Sequence, residues 1–174
     1  HDYTERCGIG LFLSGGTIVF GTGSGGAYDA ASFQQTKPGL IKAQRWQHLV
    51  GTWDGKKKRI FLDGKLVGEV AFSGTVRPGD TALRIGAYGQ EGEAVNFYNG
   101  DVAMCAIYDR ALSGEQINKR FSDRGLNVPR NHRLLACWPF AEERGTQVAD
   151  ASDFGRDGRI INRGTWMIGG PSFN

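Results

Sequence analysis

The sequence predicts an antiparallel β-sandwich with one short helix, and three observations carry that prediction. Glycine supplies 27 of the 174 residues, more than twice the ~7% average. There is no collagen period, so the glycines mark turns between many short strands and argue against long helices. Runs of apolar, β-branched and aromatic residues recur between those turns, two of them flanking Asp-Gly pairs. Only after Leu112 does the hydrophobic period become helical. The length fits one domain on the usual ~100–200 residues and can bury a core unaided. Residues 1–174 are therefore read as a single sandwich. Its main body covers 1–128, and segment 129–174 either supplies further strands or leads to a next domain.

Gly10–Leu13 reads as a strand, with Thr17–Phe20 as its hairpin partner across Ser14-Gly15-Gly16. Residues 21–39 are rich in Gly, Ser and Ala and read as a loop, with a weak strand near Ser32-Phe33. Arg45–Trp53 reads as a strand with large residues on both faces, turned by Asp54-Gly55. Arg59–Leu62, Asp63-Gly64 and Lys65–Val67 form a hairpin, since a type I′ turn needs positive φ at both central positions. Ala82–Gly86 and Asp101–Tyr108 are further expected strands. Ser113 with Gln116 makes a capping box, Leu112 and Ile117 a hydrophobic staple, and Gly125 a stop, giving one helix near 114–122. Leu134–Phe140 is a strand whose Pro139 suggests an edge position. The remainder to Asn162 is turn-rich with short β pieces.

A net charge of +3 is no nucleic-acid signature, and no nucleic-acid partner is expected. No run of ~18 apolar residues exists, so no membrane partner is expected either. The chain starts at His1 without Met or a signal peptide and is read as a segment of a longer polypeptide. Lys56-Lys57-Lys58-Arg59 is either a phosphate-contacting patch or a solvated hairpin rim. The absence of interleaved aromatics favours the rim. Cys7, Cys105 and Cys137 are odd in number and form no metal-ligand spacing. They read as buried thiols of a reducing, bacterial cytoplasm. If Cys105 and Cys137 lie on neighbouring strands a bridge becomes feasible, and secretion regains weight.

Trp46 to Gly55, Ile60-Phe61-Leu62-Asp63-Gly64, Leu83-Arg84-Ile85-Gly86 and Ile107-Tyr108-Asp109-Arg110-Ala111-Leu112-Ser113 follow one another in an order that resembles laminin-G-like jelly rolls. These belong to the concanavalin A-like lectin/glucanase superfamily, and the resemblance covers roughly residues 8–125. It implies a jelly-roll sandwich. Trp138-Pro139-Phe140, Gly145-Thr146, Val148–Ser152 and Gly155-Arg156-Asp157-Gly158 resemble the opening of such a domain. Either a second repeat begins here, or the sandwich is circularly permuted. Permutation is preferred, because half a repeat would leave Trp138 and Phe140 without a core. The arrangement, including Gly155 to Asn162, also resembles the laminin-G-like segment within large subunits of the N,N-dimethylformamidase family. That resemblance implies an iron-dependent amidohydrolase parent, with the iron and the catalytic centre outside this segment. The segment's partners would be other domains or subunits of that parent.

The fold's glucanases use carboxylates on alternate positions of one strand to flank a glycosidic bond. No Glu-x-Asp-x-x-Glu occurs here, and Glu91 and Glu93 sit in a loop-like composition. No catalytic residue is assigned. Gly21-Thr22-Gly23-Ser24-Gly25-Gly26 contains Gly-x-Gly-x-x-Gly but no helix pattern follows, so it reads as a β-loop. His48 lacks an assignable catalytic partner, and His1 and His132 show no ligand spacing. The resemblance implies a structural calcium, for which Asp150 and Asp153 are the candidates. Ala103 and Asp153 stand where the family pattern has Asp and Gly, and Asp150 could equally cap its own turn. Sugar binding would fall to aromatics in or near loops: Tyr88, Phe97, Tyr98 and Trp166. Trp46, Trp53 and Trp138 are expected in the core. Two functions follow: a non-catalytic accessory domain with a structural or interface role, or a carbohydrate-binding, lectin-like module.

Overall fold

Hairpins dominate the structure, a computed structural model that describes residues 2–124, 127–130, 133–162 and 164–167. The chain divides into two compact units, His1–Gly100 and Asp101–Asn174. His1, Gly125 and His132, named above, lie outside the described residues.

In the first unit, β1 (Ile9–Ser14), β2 (Thr17–Thr22) and β3 (Phe33–Gln35) form one antiparallel sheet. A second contains β4 (Leu49–Trp53), β5 (Lys57–Leu62) and β6 (Lys65–Ala71). The short hairpin β7 (Tyr88–Gln90) and β8 (Glu93–Val95) follows. Gly15-Gly16 joins β1 to β2 with φ of 55° and 78°, and Asp63-Gly64 joins β5 to β6 with φ of 49° and 76°. Both are two-residue turns with positive φ throughout, matched to the twist of the strands they connect.

The two sheets face each other. Ile18 and Phe20 of β2 and Ile60 and Leu62 of β5 are buried alternate residues that make one cluster. Gly51 of β4 packs closely there: a Cβ would come into van der Waals contact, at 3.4 Å, with Leu11 and Phe20. Lys58 continues the same face of β5 and is 0% exposed. Its ammonium donates to Phe20 O (2.6 Å), Ser32 O (2.8 Å), Ala31 O (2.9 Å) and Thr22 Oγ1 (3.2 Å). It also lies 4.9 Å and 5.0 Å from the ring centroids of Phe20 and Phe72. The basic run is thus not uniformly a rim. Alternation sends Lys57 and Arg59 outward to Glu69 and turns Lys58 inward.

The second unit pairs β9 (Cys105–Tyr108) with β10 (Leu134–Trp138) and β11 (Gln147–Val148) with β12 (Gly158–Arg159), and contains α1 (Gly114–Ser122). Both arms of the capping box form: Gln116 N–H donates to Ser113 Oγ and Ser113 N–H to Gln116 Oε1. Ile117 is fully buried. The left-handed residue after the helix is Arg124, at φ 61°. Ala136, Trp138 and Val148 form the core here, with Cys105, Ile107, Phe140, Ile160 and Trp166 packed against it. Trp138 is buried as expected, Trp53 is half-buried and packs against the core cluster of the first unit, and Trp46 is half-buried.

Four expected strands are corrected. Ala82–Gly86 forms no strand, because no ladder partner faces it among the described residues. Asp101–Tyr108 pairs only from Cys105. Trp138 is opposite Cys105, and Pro139, which has no N–H, stops the ladder and ends β10 short of Phe140. Arg45–His48 precede β4, since His48 N–H goes to the Asp63 carboxylate at 2.8 Å. The cysteines are free thiols. Cys105 is opposite Trp138 and Cys137 opposite Ala106, so their side chains leave opposite faces of the ladder and no bridge forms. Burial pushes the Cys105 thiol up to about 11.

Replacing Lys58 by Met should destabilise the protein by about 2–4 kcal/mol, because buried acceptors lose their donor. Burial also pushes the Lys58 ammonium down to about 8, against ~10.4 in an unfolded chain. The unfolded state therefore binds the extra proton between those values, and stability rises with pH across that window. Urea denaturation of both proteins from about pH 7 to pH 10 should show this rise in the unsubstituted protein alone.

Candidate functional site

The β7–β8 hairpin gathers three of the four aromatics expected to bind sugar. Its turn is Glu91-Gly92, with φ of 51° and 80°, so the segment expected as a loop is a tight hairpin. Tyr88 is opposite Val95 at the open end. Phe97 and Tyr98 follow β8 after Asn96 and are 61% and 52% exposed. Tyr98 N–H donates to Gly86 O at 2.8 Å, which closes the base.

Asp2 holds the tip. Its side chain is 0% exposed and accepts from Gly92 N–H (3.0 Å), Glu91 N–H (3.3 Å) and Glu5 N–H (3.0 Å). Burial alone would raise its pKa, but these backbone donors outweigh it and hold the carboxyl below the usual range. Arg84 donates to Gly92 O from the other side. The hairpin that carries the exposed aromatics is thereby fixed at tip and base.

Tyr88 is half-buried and meets Phe12 edge-on at 4.8 Å. Phe12 in turn meets Phe33 at 5.5 Å, and Tyr3 stacks on Tyr28 at 5.2 Å. Tyr28 and Phe33 lie 5.4 Å apart, so five rings from five segments form one cluster. Tyr3 stands at its exposed end, 50% accessible. Burial pushes the Tyr28 phenol up to about 12 and the Tyr88 phenol upward as well. Tyr88 thus anchors the platform, while Phe97 and Tyr98 present free ring surface beside the exposed amides of Asn96 and Asn99. Alternation could have placed Phe12 and Phe33. The distant contacts of Tyr3, Tyr28 and Asp2 carry no local sequence signal.

Trp166 lies in the second unit, half-buried, with its indole N–H on Gly145 O at 2.7 Å. Asp150 accepts four donors: Cys137 N–H (2.8 Å), Ser152 N–H (2.9 Å), Ser152 Oγ (2.7 Å) and Arg156 N–H (2.8 Å). Burial raises its pKa, yet those donors prevail and bring it to about 2. Asp153 is exposed. Among the described residues no three His, Cys, Asp or Glu side chains converge. With its four lone-pair directions occupied, Asp150 does not fit a cation and suits the capping of its own turn. Gly23 serves close packing: a Cβ would lie 2.3 Å from the Arg6 backbone. Glu91 is in the hairpin turn and Glu93 in β8. His48 N–H donates to the Asp63 carboxylate, and Asp63 N–H donates to His48 O.

Residues 2–118 match the concanavalin A-like lectin/glucanases superfamily, in its laminin G type. The chain belongs to that superfamily. A candidate carbohydrate binding protein from Bacteroides ovatus ATCC 8483 shares the fold at a TM-score of 0.61 and 18% identity, over 99% of this chain and 53% of that one. The chain thus spans about half the length of that structure. An S-layer domain-containing protein from Clostridium thermocellum ATCC 27405 aligns at a TM-score of 0.40 and 21% identity, over 68% of this chain and 58% of that one. No curated protein matches the chain. Among the described residues no helix is long and apolar enough to cross a membrane.

Asp150→Asn should cost about 2 kcal/mol near neutral pH. The Asp150 contribution is present above about pH 4 and is lost as pH falls through about 2. Acid titration of the thermal midpoint should therefore be shallower in the variant over that window.

Proposed function

We propose that this chain is a non-catalytic carbohydrate-binding module, with Phe97 and Tyr98 as the residues on which a sugar ring stacks. The observation that carries this reading is their exposure, 61% and 52%, on a hairpin fixed by Asp2 and by the Tyr98–Gly86 hydrogen bond. Fixed rings lose little entropy when a pyranose face covers them, and the Asn96 and Asn99 amides offer donors and acceptors for hydroxyls. Superfamily membership and the stated role of the Bacteroides ovatus protein support the same class. Segment 129–174 is read as supplying further strands, since β10 pairs with β9 of the matched region.

A second reading has an observation of its own. Leu83 and Ile85, on the segment tied to Tyr98 through Gly86, are 56% and 40% exposed. Aliphatic side chains beside aromatics suit a protein partner, such as another domain or subunit of a larger enzyme. The N,N-dimethylformamidase-like parent rests on sequence resemblance alone. Dimethylamine release from N,N-dimethylformamide by the full-length protein, supplied with iron, tests it.

Phe97→Ala and Tyr98→Ala should each weaken binding of a stacking glycan about tenfold, or roughly 1.4 kcal/mol, with the thermal midpoint unchanged. Calorimetric titration across a glycan panel reads this. Unchanged affinity in both variants would sink the assignment. Loss of assembly in Leu83→Ser with intact sugar binding would give the aliphatic patch to a protein partner.

A further inference from the structure

The C-terminal unit holds a polar groove that the aromatic hairpin does not explain. It is an open surface depression of about 390 Å³ lined by Thr146, Gln147, Asp157, Gly158 and Arg159, all exposed except the half-buried Gly158. The β11–β12 ladder sets Gln147 opposite Arg159 and Val148 opposite Gly158. Gln147 and Arg159 therefore stand on one face, while Val148 turns to the other and is buried in the core. Asp157 is held from two sides: its Oδ1 accepts Asp150 N–H at 2.9 Å and its Oδ2 accepts the Gln147 amide at 3.4 Å. Arg159 is exposed and makes no ion pair among the described residues. The wall behind Thr146 is firm, because the Trp166 indole bonds Gly145 O and packs against the core cluster.

This lining selects its ligand by chemistry. A carboxylate and an amide oxygen accept, while a guanidinium, an amide nitrogen and a hydroxyl donate. The charges of Asp157 and Arg159 cancel, so a strongly ionic ligand gains little. No large apolar side chain lines the groove, so an apolar ligand gains little either. A neutral molecule dense in adjacent hydroxyls satisfies both kinds of partner. We propose that the Thr146–Gln147–Asp157–Arg159 groove is a saccharide subsite, with Asp157 accepting from one ring hydroxyl and Arg159 and Gln147 engaging its neighbours. The class of ligand rests on the carbohydrate-binding reading, whereas the place is independent of the hairpin.

The test is amide chemical-shift mapping of the isotope-labelled full chain with cello-, xylo- and manno-tetraose. At least one sugar should shift the amides of Thr146, Gln147, Gly158 and Arg159. Arg159→Ala should weaken that response at least about tenfold, and Gln147→Ala gives a second variant should the first be poorly folded. The groove shifts should persist in Phe97→Ala/Tyr98→Ala. Shifts confined to residues 96–99, or no shifts with any of the three sugars, would overturn the subsite. Groove shifts without hairpin shifts would uphold it while removing the hairpin reading.

Discussion

The buried ammonium of Lys58 is the constraint around which the first unit is arranged. Taking a cation out of water costs several kcal/mol unless its donors are met. Here four oxygens and two aromatic faces offset part of that cost, and burial still lowers the ammonium's pKa to about 8. Those oxygens come from β2 and from the loop that leads to β3, whereas Lys58 comes from the facing sheet. A polar contact of this kind fixes register in a way that apolar packing does not, because a slip of one residue would carry the ammonium to the outer face. Thr22 adds bonds from its hydroxyl and its N–H to Ser32 O, so the loop is tied to the end of β2 as well as to Lys58. The glycine-rich connection between β2 and β3 therefore has a defined path.

The same logic of polar fixation reaches the hairpin. Asp2 draws the N-terminal segment against the β7–β8 turn through backbone donors rather than side-chain partners. A carboxylate bound to backbone N–H groups specifies chain path independently of side-chain chemistry at residues 91 and 92. The ring cluster of Tyr3, Phe12, Tyr28, Phe33 and Tyr88 then fills the space between that segment and the sheet. Exposure of Phe97 and Tyr98 is consequently a property of a supported element, which distinguishes it from a floppy loop that happens to carry aromatics.

What could be read in advance followed the range of the signal. Turn chemistry at Gly15-Gly16 and Asp63-Gly64 and the capping box at Ser113 are decided within four residues, and the structure has them as expected. Ladder extent depends on the partner. Ala82–Gly86 has strand-like composition and no ladder partner among the described residues, and the strand ending at Tyr108 is shortened at Cys105 by Pro139, far along the chain. Lys58 was the least legible residue. Its neighbours Lys56, Lys57 and Arg59 suggest solvent, and only the pleat of β5 turns it inward. Of the expected aromatics, Tyr88, Phe97 and Tyr98 come from one hairpin, while Trp166 is occupied in holding the second core.

Asp150 makes the relation between motif and function concrete. The residues around it resemble those of a family in which a corresponding aspartate often serves a cation. Here the donors that reach it, from Cys137 to Arg156, belong to the turn and to the strand β10 beside it. The carboxylate thus performs locally the task a cation would perform elsewhere, that of gathering a loop, but with opposite charge and with N–H groups in place of oxygens. Once the loop is gathered in this way, Asp150 N–H is free to point at Asp157, and Asp157 is aimed at Gln147 in the groove. The geometry of the proposed subsite is in that sense inherited from the turn. The turn that Asp150 gathers sets the position of Asp157 beside the β11–β12 ladder, and that ladder carries the other side chains of the proposed subsite.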